Sequence, residues 1–523
     1  MKNEILTAMS IESLRPLLAL LASLAGAALV FAFRARPDLR EACSLAASGL
    51  QCAVVISMIP PVLAGDTLHY TLLAFLPQVS IELRVDALGL LFAVTASSLW
   101  VLTTIYSIGY MRALGEHGQT RFYVCFALAL SATIGLAFAA NLVTFYVFYE
   151  ALTFITYVLV THHGTEEALA AGRKYLAYHL GTSVAFLLPA IIWTFTVSGT
   201  FDFRPGGVLS LAAAGSTTLT VVYFLFLAGV GKAAIVPFHA WLPTAMVAPV
   251  PVSALLHAVA VVNAGVFCAF RVIFNVFGVE LMRELNLGVP TVAIASVTIL
   301  VASFYALRLD NLKALLAYST IGQLSYMIMG AALLSPRGMT GGVMHLAVHS
   351  FSKITLFFCA GLIYLASRKT KISEMDGIGL RLPWTLAAFS VGALSIIGLP
   401  LTAGFLTKWY LATGSLESGQ PLVLFVLLVS TLLSAAYYLR VVRRAFFGVV
   451  EPQRAEPEAR PRVEKLLERA EDEAEEQAAE PDRNRARRLS RLALVPAVAT
   501  AAITIALGVY PSLLLRVVGR VLR

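Results

Sequence analysis

VVYFLFLAGVGKAAIVPFHAWLPTAMVAPVPVSALLHAVAVVNAGVF, residues 221–267, decides the fold of this chain. The stretch sets Lys232 inside an apolar run, follows it with Pro237, Pro243, Pro249 and Pro251, and places His257 in the next apolar run. A lysine near the middle of a bilayer costs roughly 2.5 to 3.5 kcal/mol, so it needs a partner or a task. Proline removes a backbone donor and frees carbonyls, which hydrocarbon does not tolerate unless the opened backbone faces protein or a wet cavity. A buried cation beside interrupted helices therefore predicts a path for protons or ions.

Working outward, apolar runs of about twenty residues, the length that crosses a hydrocarbon core of roughly 30 Å, recur from end to end. Hydrophobic residues make up 59% of the 523 and charged residues 13%. The reading is an all-α polytopic membrane protein; the short alternating strands of a membrane β-barrel are absent from the pattern. Fourteen spans are predicted, near 15–33, 43–64, 86–108, 122–140, 142–162, 175–198, 217–238, 250–275, 289–307, 313–333, 341–367, 384–412, 420–446 and 491–515. The run from Leu17 is longer than a signal-peptide core and follows acidic Glu4 and Glu12, so it is read as a retained helix. Thr67 to Arg84 mixes β-branched and polar residues and is expected to form a hairpin or loop.

The net charge of +9 does not imply nucleic acid, because the basic residues lie in loops. They crowd alternate connections (Arg34, Arg36 and Arg40; Arg112 and Arg121; Arg173 and Lys174; Arg308 and Lys313; Arg368, Lys369, Lys371 and Arg381), which predicts those loops to be cytoplasmic and both termini outside. Residues 448–490 form the one long polar connection, expected as a solvated cytoplasmic helix. The five cysteines show no Cys-x-x-Cys spacing, so neither a redox centre, a cofactor nor a metal is expected.

Segments seven and twelve each carry a proline and a lysine, Lys232 with Pro237 and Lys408 with Pro400, five spans apart and running in opposite directions on this topology. That pattern predicts two inverted five-helix repeats, residues 122–275 and 276–446, with helices seven and twelve broken. Residues 1–121 would hold the first three helices, 447–490 the charged loop and 491–523 the last helix.

Glu150, in NLVTFYVFYEALTFITYVLV, has no ionisable neighbour in sequence except tyrosines, and Lys232 is its natural partner. A static pair that fixes helix packing is the simpler interpretation, but buried pairs seldom improve on apolar packing. If the two groups separate and return, the pair becomes a switch that takes up and releases a proton on Lys232. His257, then His345, His349 and Lys353 at i, i+4 and i+8, then Lys408, form a row of buried basic groups suited to lateral proton relay. Each histidine taken singly could be an ordinary core residue, and the His345–His349 spacing lacks the context of a metal pair. Ser319, Thr320, Gln323 and Ser325 are candidate hydrogen-bonding partners for the row. Lys174 is an auxiliary candidate, as modulator of Glu150 or cytoplasmic proton carrier; His179 is read as a core or interfacial histidine, and Asp86 beside Arg84 as a helix N-cap with local charge pairing. Glu166 and Glu167 are expected in solvent.

GKAAIVPFHAWLPTAMVAPVPVSALLHA, DNLKALLAYSTIGQLSYMIMG, HLAVHSFSKITLFFCAG and GLPLTAGFLTKWYL resemble the antiporter-like membrane subunits shared by respiratory complex I, Mrp-type Na+/H+ antiporters and energy-converting hydrogenases. The resemblance covers roughly residues 85 to 446 and is nearest in length and span count to the Mrp D type. It implies a fourteen-helix core, Glu150 and Lys232 as the coupled pair, His257, His345, His349 and Lys353 on a central hydrophilic axis with Lys313 as a further auxiliary, and Lys408 as the terminal proton site. It also implies membrane partner subunits, a cell-membrane location, and protons as the transported ion with sodium as a second candidate. Any redox chemistry would belong to a partner. Asn263 stands where many M-, N- and D-type relatives carry lysine, and His257 is similar to the L and A types. The competing implication is a proton-coupled energising subunit of an inorganic-carbon uptake complex.

Overall fold

A computed structural model describes residues 9–76, 79–448 and 489–522. The expected helix within 448–490 falls almost wholly outside them. The chain is largely helical: α1 (Arg15–Ala32), α2 (Pro37–Ala64), α3 (Ala87–Leu114), α4 (Gln119–Ala137), α5 (Leu142–Val160), α6 (Glu166–Ser198), α7 (Ser216–Gly229), α8 (Val250–Phe277), α9 (Gly288–Arg308), α10 (Leu312–Ala332), α11 (Pro336–Ser367), α12 (Pro383–Ile397), α13 (Ala403–Glu417), α14 (Pro421–Phe447), α15 (Leu489–Val509) and α16 (Ser512–Val521). Among the described residues, eleven of these are long and apolar enough to cross a membrane by length and composition. α10 is as long as several of them but more polar, while α7 and α12 are apolar and short because each stops at a break.

The expected hairpin is present: β2 (Thr67–Leu76) pairs antiparallel with β3 (Val79–Val85), and a strand at the N-terminal end, β1 (Ser10–Glu12), adds in parallel to β2. Ser10–Glu12 precedes a strongly apolar run and carries too few residues to show alternation, so its pairing was invisible in sequence.

α8 and α11 are the buried pillars, with the apolar windows of both wholly enclosed by protein. Helices nearer the perimeter, such as α1 and α14, bury fewer than half of their window residues and leave Leu, Val and Phe side chains outward. Surface of that kind suits lipid, since lipid rather than water is the solvent for it.

Both breaks occur where the sequence placed proline, but glycine sets their shape. α7 ends at Gly229; a Cβ there would approach the Leu187 backbone to 2.5 Å, and one at Gly231 would meet Thr182 Oγ1 at 2.3 Å. Only hydrogens allow the broken segment to lie so close to α6, which is itself widened to a π-type turn at Ser183–Leu187. α12 ends at Gly398, whose φ of 89° reverses the chain before α13.

A buried basic axis as candidate functional site

Lys232 lies in the break itself, in a single turn at Gly231–Ala233, fully buried. Its Nζ donates to Tyr149 O at 3.1 Å and to Thr153 Oγ1 at 2.6 Å, and sits 3.3 Å from the centre of the Tyr149 ring. The lysine therefore reaches across to α5, beside Glu150. The two charges do not form an ion pair among the described residues, and both Glu150 carboxylate oxygens are buried without a hydrogen-bond partner. Sequence reasoning found the pair of helices but not Tyr149 and Thr153, which as neutral groups carry no charge signal. His179 packs edge-on against Trp241 and Tyr175 at 4.2 and 4.0 Å, and Trp241 Nε1 donates to Gly231 O, tying the break to α6.

His257 occupies a π-type turn, Leu255–Val259, in α8. The disturbed turn is repaired by Asn263, whose Nδ2 donates to Ala258 O and to Ser350 Oγ of α11, both at 2.9 Å. Asn263 is thus a structural bridge between the two pillars. His257 packs on Phe357 at 4.8 Å, and neither of its ring nitrogens has a hydrogen-bond partner.

α11 carries His345, His349 and Lys353 along one buried face. His345 bridges two helices, with Nε2 3.0 Å from Gln323 Oε1 of α10 and Nδ1 2.8 Å from Thr407 Oγ1 of α13. His349 lies 6.1 Å from His345, ring centre to ring centre, with neither nitrogen partnered. Lys353 donates to Ser319 Oγ at 2.9 Å and Tyr438 OH at 3.1 Å. Of the four α10 residues singled out, Ser319 and Gln323 reach the row; Thr320 and Ser325 bond to carbonyls of their own helix.

Lys408, on α13, donates to Ile397 O at 2.9 Å and Thr431 Oγ1 at 3.0 Å. Ile397 is the last residue of α12, so the ammonium sits on a carbonyl that the break leaves open, at the negative end of the helix dipole. Tyr326 lies between the two basic groups, its ring 5.3 Å from Lys408 Nζ and 6.0 Å from His345. Among the described residues, no direct hydrogen bond joins Lys232 to His257 or His257 to Lys353.

The auxiliary lysines are elsewhere. Lys174 and Lys313 line a cavity of about 690 Å3 together with Glu116, His163, Glu167 and Lys369. Lys313 Nζ donates to Ala248 O at 2.6 Å, in the connection after the first break. The nearby His163 ring, with Nε2 3.6 Å from Oε2, holds the Glu116 carboxyl below its usual range, so the cavity wall sets a carboxylate among lysines. Glu166 and Glu167 are exposed, as expected. Asp86 does cap α3, accepting from Gly89 N at 2.8 Å, but its ionic partner is Arg271 at the far end of α8, which replaces the local pairing with Arg84 read from sequence.

The family described as NADH:quinone oxidoreductase/Mrp antiporter, TM matches residues 139–434, and that of the complex I chain 5 N-terminus matches residues 76–123. The chain belongs to the antiporter-like subunit family of complex I and Mrp antiporters. Within that family it is similar to NADH-quinone oxidoreductase subunit N of Desulforudis audaxviator, 30% identical over 80% of this chain and 84% of that protein. Subunit L of Mycobacterium tuberculosis is 32% identical over 81% of this chain and 68% of its own length. A component of a probable K+/H+ antiporter of Rhizobium meliloti is 29% identical over 77% of this chain and 40% of that protein. A chain of the Mrp complex from a Dietzia species superposes with a TM-score of 0.81 at 25% identity, covering 97% of this chain and 96% of that one. An archaeal membrane-bound sulfane sulfur reductase chain shares the fold, with a TM-score of 0.80 at 22% identity over 97% of each chain. The matches extend over both breaks and the whole basic row, so the antiporter-like region contains the axis described above.

Proposed function

We propose that this chain translocates protons as one subunit of a multisubunit membrane complex. The observation that carries this reading is the state of its buried cations: Lys232, Lys353 and Lys408 are held by carbonyls, hydroxyls and rings, so each can give up its proton without breaking a direct ion pair in the low-dielectric interior. In the proposed cycle, Glu150 swings toward Lys232 to stabilise the charged lysine and away to favour release. His257, His349 and His345 pass the proton between the two broken segments, and Lys408 exchanges it at the far end. A shift of one charge through 100 mV is worth about 2.3 kcal/mol, the scale on which such a switch must respond.

The two lysine-bearing breaks support the reading of inverted repeats 122–275 and 276–446, and a fourteen-crossing count in which α7 and α12–α13 each contribute one interrupted crossing. The relatives named are subunits of complex I and antiporter assemblies, which supports membrane partner subunits here; the span count favours an Mrp-type setting with sodium as a candidate counter-ion, and the alternating basic loops favour both termini outside the cell membrane. The test is proton flux in proteoliposomes holding the native complex. Lys232→Ala and Glu150→Ala should each abolish most of it, and intact flux in both would refute the switch.

A further inference from the structure

Two loops on one face of the bundle, apart from the basic axis, converge on a cluster of ligating side chains. The turn between α3 and α4 supplies Glu116 and His117, and the turn after α5 supplies His162 and His163. One ligand atom each from Glu116, His117 and His162 lies within 4.8 Å of the other two. His163 Nε2 stands 3.6 Å from Glu116 Oε2, and the His117 ring lies 5.1 Å from that of His162 and 6.2 Å from that of His163.

The second observation concerns His162, which is fully buried. Its Nε2 is 3.0 Å from the His117 carbonyl oxygen. A carbonyl only accepts, so Nε2 carries a proton, and in the neutral ring Nδ1 then holds the lone pair. That Nδ1 is buried with no hydrogen-bond partner. A neutral imidazole with one nitrogen fixed by a backbone carbonyl and the other presenting a lone pair is the form in which histidine binds metals.

We propose that Glu116, His117 and His162 form a site for a divalent transition metal of zinc type, with His163 as a fourth ligand. Two or three imidazoles and one carboxylate suit zinc in tetrahedral geometry, with bonds of about 2.0 to 2.1 Å that set ligand atoms about 3.4 Å apart. The cluster must therefore close by about an ångström, a rotamer adjustment open to His117 because it is exposed. The Arg121 guanidinium, which donates to His162 O at 2.7 Å, disfavours a cation, and the Glu116 carboxylate offsets it as the anionic ligand. Glu116 and His163 also line the 690 Å3 cavity, so the metal would sit in its wall.

The experiment is zinc titration of the purified full chain in detergent against a chromophoric chelator, with cobalt absorption as a second readout. The unaltered chain should bind one equivalent, and Glu116→Gln and His117→Ala should each weaken binding roughly tenfold or more and remove the tetrahedral cobalt spectrum. His117 is exposed, so its replacement leaves the fold intact and loss of binding reports the ligand alone. Absence of stoichiometric zinc, or binding and a cobalt spectrum unchanged in both variants, would overturn the site. Neither readout involves proton flux, so the result stands apart from the transport proposal.

Discussion

The molecule buries positive charge in two regions, and it treats them oppositely. At the ends of the helices, Arg271 is clamped by Asp86 through two contacts of 2.5 and 2.9 Å and buried Arg40 meets Glu41 at 3.2 Å, with the half-buried Arg112 closing on the same carboxylate at 2.6 Å. Along the axis, Lys232, Lys353 and Lys408 are equally hidden and meet no carboxylate within ion-pair distance among the described residues. A guanidinium keeps its proton and demands an anion, whereas an ammonium bound to carbonyls and hydroxyls has a neutral alternative. On the proposed function, the difference separates charges that hold the fold from charges that move a proton.

The largest effect should therefore fall on stability and not on transport. Asp86→Asn leaves Arg271 buried without its anion and should cost about 3 to 5 kcal/mol, read as chemical unfolding in detergent, while proton flux per folded complex stays within about twofold. Acid should act through the same pair. Burial alone would lift the Asp86 carboxyl, but Arg271, with the Gly89 amide and Arg84, holds it below the usual aspartate range. A lowered folded value means the unfolded state takes up the proton first, so this contribution is complete above about pH 4 and is lost as pH falls further, through the folded value. The unfolding free energy should lose that portion of its acid slope in Asp86→Asn.

Next in size is the converse experiment on the axis. Lys232→Met or Lys408→Met should reduce flux about 10²-fold, the scale of a lost proton-transfer group. Stability should hold or rise by about 1 to 4 kcal/mol, because an apolar side chain replaces a buried charge. Destabilisation by either change with flux preserved would move that lysine into the class of Arg271 and erase the distinction.

How much of this was legible depended on what each residue announces. An apolar run of twenty residues announces a span, and Lys232 or Lys408 within one announces a site, since charge in hydrocarbon is costly wherever it occurs. Proline gave the breaks; glycine, which shapes them, was hidden because its role at Gly229 or Gly231 depends on how closely α6 approaches. Asp86 illustrates the other limit: its capping of α3 is local and readable, but Arg271 lies 185 residues away, and only packing decides between it and Arg84. The same holds for Tyr149, Thr153 and Tyr438, neutral side chains that become functional candidates only once a lysine is seen to rest on them. Asn263 looked like a missing relay lysine and proves to repair the turn that holds His257.

The smallest expected effect probes one hydroxyl. Tyr438 OH is shared between Lys353 Nζ at 3.1 Å and Ser319 Oγ at 2.8 Å, and the ring centre lies 5.8 Å from the ammonium. Tyr438→Phe keeps the ring, hence its packing and its attraction for a cation, and deletes only the hydroxyl. Lys353 retains Ser319, so the loss should be that of the hydroxyl's two hydrogen bonds, about 1 to 2 kcal/mol together, seen as a few-fold fall in flux and a similar fall in stability. The ratio of the two is the informative quantity. A flux loss as deep as that of Lys353→Met would mean that the proton travels through the phenol and that the lysine merely orients it. A stability loss with no change in flux would place Lys353 among the clamped charges, held by neutral groups in place of an anion but no more able to let its proton go.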